Sequence, residues 1–198
     1  MRRTKFRDRG ALVRRVLRLR MPAGAAFAVA CGERLWPLVV RYGSVVGTPS
    51  DTMTELRDGL DTLWRAVNGD GGDVARVHAL AEALLPPDDP WVDESGYAED
   101  GLATIIYAAE ALLSGDRREA GAAAGRVYDA ADAAAQLLLP DSIDSFTPEA
   151  EKLLRESTVV RAAVAVAHAD LDVARRGDLV GLREQSRSGA EAFTALFP

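Results

Sequence analysis

The chain has 198 residues, 48% of them hydrophobic but only 6% aromatic, and a net charge of −6. That length favours one domain and lets about 70% of the unfolded chain's surface be buried, so the core needs no staples. A single cysteine, Cys31, excludes an intramolecular disulfide and with it the disulfide-dense secreted scaffolds.

Charge is unevenly spread. Residues 1 to 20 hold nine basic groups against one acid, Asp8, whereas the rest of the chain holds 15 basic and 29 acidic residues. A basic end on an acidic body can meet nucleic acid, a membrane surface or the protein's own acids. The last is favoured, because no aromatic platform or recognised DNA-binding motif accompanies the arginines. Nucleic acid is expected, if at all, only through the basic N-terminus at Arg2, Arg3, Lys5, Arg7 and Arg9, and no membrane partner is expected.

Periodicity predicts an all-α, single-domain bundle of about eight helices over residues 11–198, preceded by a basic tail over 1–10. Ala11, Leu12, Val16 and Leu19 mark a short first helix ended by Pro22. The second runs over 23–42. Its opening, Ala23 to Cys31 behind a basic start, imitates a signal peptide with a lipoprotein-type cysteine. The apolar stretch is short and rich in Ala and Gly, however, and Phe27, Cys31, Leu35, Leu38 and Tyr42 continue one helical face through the supposed cleavage point. A retained helix and a cytoplasmic protein are the expectation. No uninterrupted apolar run reaches the length of a membrane span.

Ser50 or Asp51 is positioned to cap a third helix with Met53, Leu56, Leu60, Leu63 and Val67 on its face, and the Gly-rich turn 68–72 ends it. A fourth helix (Val74, Val77, Ala81, Leu84) stops at Pro86-Pro87, and a loop follows over 88–96. The fifth covers about 97–113. The sixth, 116–139, is alanine-rich, which suits close helix packing. Thr147-Pro148-Glu149 opens a long seventh helix through Arg176, and an eighth segment follows from Asp178.

Residue types exclude most familiar chemistry. With lysine only at 5 and 152 there is no phosphate-binding P-loop, and no GxSxG nucleophile elbow occurs. His78 and His168 lie in no metal-binding pattern. In the Gly-rich turn, placing Gly71 at the sixth position of a calcium loop leaves Ala66 and Val77 at the first and twelfth, so the obligatory ligands are missing. Asp88 and Asp89, bracketed by Pro87 and Pro90, read with Asp93 as a solvated acidic loop, with some members of this acidic stretch capping the fifth helix. No cofactor, metal or catalytic residue is assigned.

The second helix is the informative one. Glu33, Arg34 and Arg41 interrupt an otherwise apolar surface and call for partners. Pro37 has no N–H, so the carbonyl of Glu33 loses its helical partner. A kink beside a Glu-Arg pair is either a buried network that fixes packing or a ligand site.

These residues carry a resemblance. The run Ala26 to Pro37, with Ala26-Phe27 and Glu33-Arg34-x-x-Pro37, resembles the AF…ER-x-x-P segment of the YjaG-like family, helical bacterial proteins of unknown function. Leu60-Asp61-x-x-Trp64 is similar to that family's LD-x-x-W stretch, and Tyr97-x-x-Asp100-Gly101 to its Y-x-x-D-A element. The resemblance spans most of the chain and implies a helical bundle but no activity.

Joining the matched segments gives one expectation: Glu33, Arg34, Asp61 and Asp100 converge on a polar cluster beside Trp36 or Trp64, with Pro37 next to it. Failure of Arg34 to reach Asp61 or Asp100 would overturn it. The favoured reading is a helical binding or interaction protein and not an enzyme, its partner a protein or small molecule. Two alternatives stand beside it. One is a hydrolase or transferase using Glu33, Asp61 or Asp100, with or without a divalent metal, and the other is an acidic helical immunity protein that binds a toxin.

Overall fold

The structure, a computed structural model, describes residues 7–89, 92, 94–140, 143 and 147–198, the side chains of residues 7 and 8 excepted. Arg2, Arg3 and Lys5 of the expected tail, the side chain of Arg7, and Asp93 of the acidic loop lie outside the described residues. Among those described there are ten helices and no strand: α1 Arg7–Val16, α2 Ala23–Val46, α3 Ser50–Val67, α4 Val74–Ala83, α5 Ser95–Ser114, α6 Arg117–Leu137, α7 Pro148–Glu156, α8 Thr158–Arg175, α9 Leu179–Ser188 and α10 Ala190–Thr194. They form a single all-helical domain.

Ten helices replace the expected eight because two of the expected segments divide. The long seventh splits at Ser157, whose backbone is extended. Its hydroxyl donates to the Leu154 carbonyl at 2.7 Å and accepts the Val160 N–H at 3.3 Å, so one side chain closes α7 and caps α8. The eighth segment divides at Gly189, where a Cβ would overlap the guanidinium of Arg34 arriving from α2. The first helix also begins earlier than residue 11. Arg9 lies inside α1 and forks onto Asp129 of α6, both bonds 2.8 Å long, over Gly125, where a Cβ would come within 2.6 Å of Arg9 Nη2.

α2 is the central element, packed against α3, α5, α6, α8, α9 and α10. Residues Ala25 to Ala30 have no exposed surface at all, so the stretch that imitates a signal sequence is the middle of the core. By length and composition α2 could cross a bilayer, yet 78% of its most apolar window is buried among the other helices. Each fully buried Phe or Leu there, such as Phe27 and Leu35, stabilises the fold by about 1.5–3 kcal/mol. Gly47, in the left-handed region at φ 73°, ends the helix by returning its N–H to the Gly43 carbonyl.

α6 presents Ala120, Gly121, Ala123, Ala124, Ala131 and Ala134 to its neighbours, and α1, α2, α5 and α8 all approach it. Asp73, Asp116, Thr147 and Asp178 cap α4, α6, α7 and α9 through their side chains. The Gly-rich segment is the turn before α4. Among the described residues no acid of the loop caps α5: Glu94 makes no such bond, and Ser95 Oγ instead accepts the Val92 N–H at 3.1 Å.

Candidate functional site

Consecutive residues on an α-helix point about 100° apart, so Glu33 and Arg34 cannot share a partner easily. Glu33 faces α3. Arg57 of α3 forks onto both its oxygens at 2.6 and 2.7 Å, and the Trp64 indole N–H donates to Oε1 at 3.0 Å. The carboxylate is 1% exposed, and this bidentate pairing compensates the cost of burying it. The Arg57 guanidinium also lies over the Trp36 ring, 5.4 Å from its centroid, a cation–π contact.

Asp61, one turn after Arg57, collects three guanidiniums on a single oxygen. Arg57 and Arg183 reach Oδ1 at 3.0 and 2.9 Å, and Arg187 also bonds it. Burial pulls the Asp61 carboxyl upward, but Arg57, Arg187 and Arg183 outweigh it and hold the group below the usual carboxylate range. Burial likewise opposes the charge of Arg57, and Glu33 and Asp61 reverse that effect. A cleft of about 420 Å³ opens over this cluster, lined by Glu33, Trp36, Pro37, Arg57, Asp61 and Arg187, with Ala190 and Glu191 of α10 completing the wall. A neighbouring cleft of about 500 Å³ shares Trp36 and Pro37 and ends at Arg41. Arg41 lies over the Tyr97 ring, and its Nε is buried without a hydrogen-bond partner.

Arg34 faces the other way. It forks onto Asp170 of α8 at 2.8 and 2.9 Å, and Gln185 of α9 donates to the same carboxylate at 2.6 Å. Both charged side chains are 5% exposed or less. This pair is sealed and holds α2, α8 and α9 together.

The expected four-residue convergence is therefore corrected. Glu33, Asp61 and Trp64 come together beside Trp36 and Pro37, but Arg34 pairs with Asp170, and Asp100 lies between α5 and α6 with Arg126 at 3.0 Å. The reason is angular: Arg34 leaves α2 about 100° around the helix from Glu33, toward α8 and α9, and Asp100 packs toward α6. Burial pushes the Asp100 carboxyl up to about 7; the Arg126 bond opposes this, and Asp129 and Glu99 add to it.

Arg57, Asp170, Arg183, Gln185 and Arg187 were not foreseen. Two of them left a trace: Arg57 stands four residues before Asp61, and Asp170 is an acid on the apolar face between Ala167 and Leu171. Among the described residues, no three His, Cys, Asp or Glu side chains come together as a metal-binding group.

No known protein family matches the chain. A stretch of 75 residues, 38% of this chain, is 31% identical to part of a leucine–tRNA ligase from Methanothrix thermoacetophila and spans 8% of that protein's length. Among solved structures, a DUF416 family protein from Shewanella baltica OS155 superposes with a TM-score of 0.76 over 88% of this chain and 92% of that one, at 14% identity. At that identity the likeness is one of fold, and it covers nearly the whole helical domain.

Proposed function

We propose that the chain is a cytoplasmic, non-catalytic binding protein related to the YjaG-like family, and that it receives an anionic group attached to a flat or apolar body in the cleft over Trp36 and Pro37. The observation that carries this reading is the convergence of Arg57, Arg183 and Arg187 on one oxygen of Asp61, with Arg57 and Arg187 lining the cleft. Each guanidinium carries several N–H donors in a fixed fork, more than Asp61 and Glu33 can accept, so donors are left over for a ligand. Trp36 and Pro37 supply the apolar wall.

Three of the family-like residues support the relationship by position: Glu33, Pro37 and Asp61 all line this cleft. The cytoplasmic reading is supported by α2 acting as core and by the burial of Cys31. The carboxylate-enzyme alternative loses support, since Glu33 and Asp61 are neutralised by arginines and Asp100 is elsewhere.

The test is a thermal-shift panel of carboxylate- and phosphate-bearing aromatic compounds on the wild type and on Arg187→Ala. At least one compound should raise the wild-type Tm and lose that effect in the variant. A panel with no shift, or an equal shift in both proteins, overturns the proposal.

A further inference from the structure

The basic end of the chain does fold back on the protein's acids, but only in part. Arg9 is held by Asp129, and Arg15 by Asp172 at 3.2 Å and by His168. Arg18 and Arg20, at the end of this basic stretch, are exposed, and no described residue forms a hydrogen bond or ion pair with either side chain. The turn that carries them brings them against the C-terminal end of α8, where Arg175 and Arg176 are also exposed. The four arginines line one cleft of about 410 Å³, together with Pro22 and Gly177, and no acid contributes to its wall. Arg176 likewise has no described partner, and Arg175 has only a long contact of 3.8 Å to Asp172.

Four guanidiniums within one cleft repel one another, and in a protein of net charge −6 such a cluster is stabilised by a bound polyanion. The N-terminus of α2 adds to the field. It starts at Ala23 on the cleft wall, with no side-chain cap and no acid in its first turn, so the positive end of a 24-residue helix is uncompensated there. Guanidiniums match phosphate oxygens in paired hydrogen bonds, and the volume suits a small molecule.

We infer that the cleft between the Arg18–Pro22 turn and the end of α8 binds a small ligand carrying two linked phosphate groups. This cleft shares no lining residue with the one over Trp36, and the inference does not rest on that reading.

The experiment is isothermal titration of the full chain with pyrophosphate, and separately with inorganic phosphate and a single-stranded 20-mer oligonucleotide, at low and at physiological salt. Pyrophosphate should bind saturably with one site and more tightly than inorganic phosphate. The paired variant Arg20→Ala with Arg176→Ala should weaken it at least about tenfold with an unchanged circular dichroism spectrum, because both side chains are exposed. Arg117→Ala with Arg161→Ala, which removes the same charge elsewhere, should leave it unchanged. Absence of pyrophosphate binding, equal weakening by the two paired variants, or binding of the oligonucleotide alone would each overturn the inference, the last in favour of a nucleic-acid surface.

Discussion

Glu33 and Arg34 are adjacent in the chain, yet neither is the other's partner: Glu33 is forked by Arg57 of α3, and Arg34 forks Asp170 of α8. One helical step separates a network that opens onto a cleft from one that is closed. The two should answer mutation differently.

The closed pair is the more costly to break. Asp170→Ala leaves a buried guanidinium with only Gln185 nearby, and single removal of a buried partner costs about 3–5 kcal/mol. The combined variant Arg34→Met with Asp170→Leu should recover most of that loss. Urea unfolding of the three proteins checks both statements, and a double variant no more stable than Asp170→Ala contradicts the second.

Gly189 should not tolerate a side chain. A Cβ there overlaps Arg34 Nη1 and lies 3.1 Å from the Gln185 carbonyl. Gly189→Ala is expected to destabilise by about 1–3 kcal/mol, whereas the same change combined with Arg34→Met should cost less. Thermal unfolding of the single and combined variants reads the coupling.

Asp100 sets a pH dependence. Its folded carboxyl titrates at about 7, above the 3.8 of the free side chain, so the folded state holds a proton that the unfolded chain has released. Stability from this group is present below about pH 4 and is lost as pH rises through 7. Asp100→Asn keeps an acceptor for Arg126 and removes the titration, so it should be more stable than the wild type at pH 8, by a few kcal/mol at most, and nearly equal to it at pH 4. Equal wild-type and variant stability across that range would refute the assignment.

Cys31 should be inert in the native state. Burial raises its thiol well above the usual range, and Asp170 adds to that while Arg34 opposes it. Thiolate is the reactive form, so a disulfide reagent should label Cys31 only at the rate of unfolding. Rapid labelling without denaturant would mean that α2 opens locally.

The fold was legible because helix formation is local. The faces of α2, α3 and α5 follow from spacing, and Pro22, the Gly-rich turn and Thr147-Pro148 punctuate the chain where the structure does. The break at Ser157 was not legible, since an isolated serine in an apolar-periodic run gives no signal until its hydroxyl has a carbonyl to choose. The site was half legible. Glu33, Pro37, Asp61 and Trp64 stand out as exceptions in apolar helices, and they do meet. Arg34's partner lies 136 residues away, and pairing over such a separation depends on which helix packs where, which periodicity does not encode. Asp100 misled for the same reason: an acid on a buried face announces that it has a neighbour, but not which one.

The position of α2 in the chain has a consequence for synthesis. It leaves the ribosome before α5, α6, α8, α9 and α10, the helices that enclose it. Until they follow, α3 is the main packing partner of α2 present beside this long apolar helix. During that interval the nascent protein displays an apolar helix long enough to cross a bilayer, and Arg34, whose partner Asp170 has not yet been made, opposes its entry. The same charge that later ties α2 to α8 would thus hold the unfinished helix out of a bilayer.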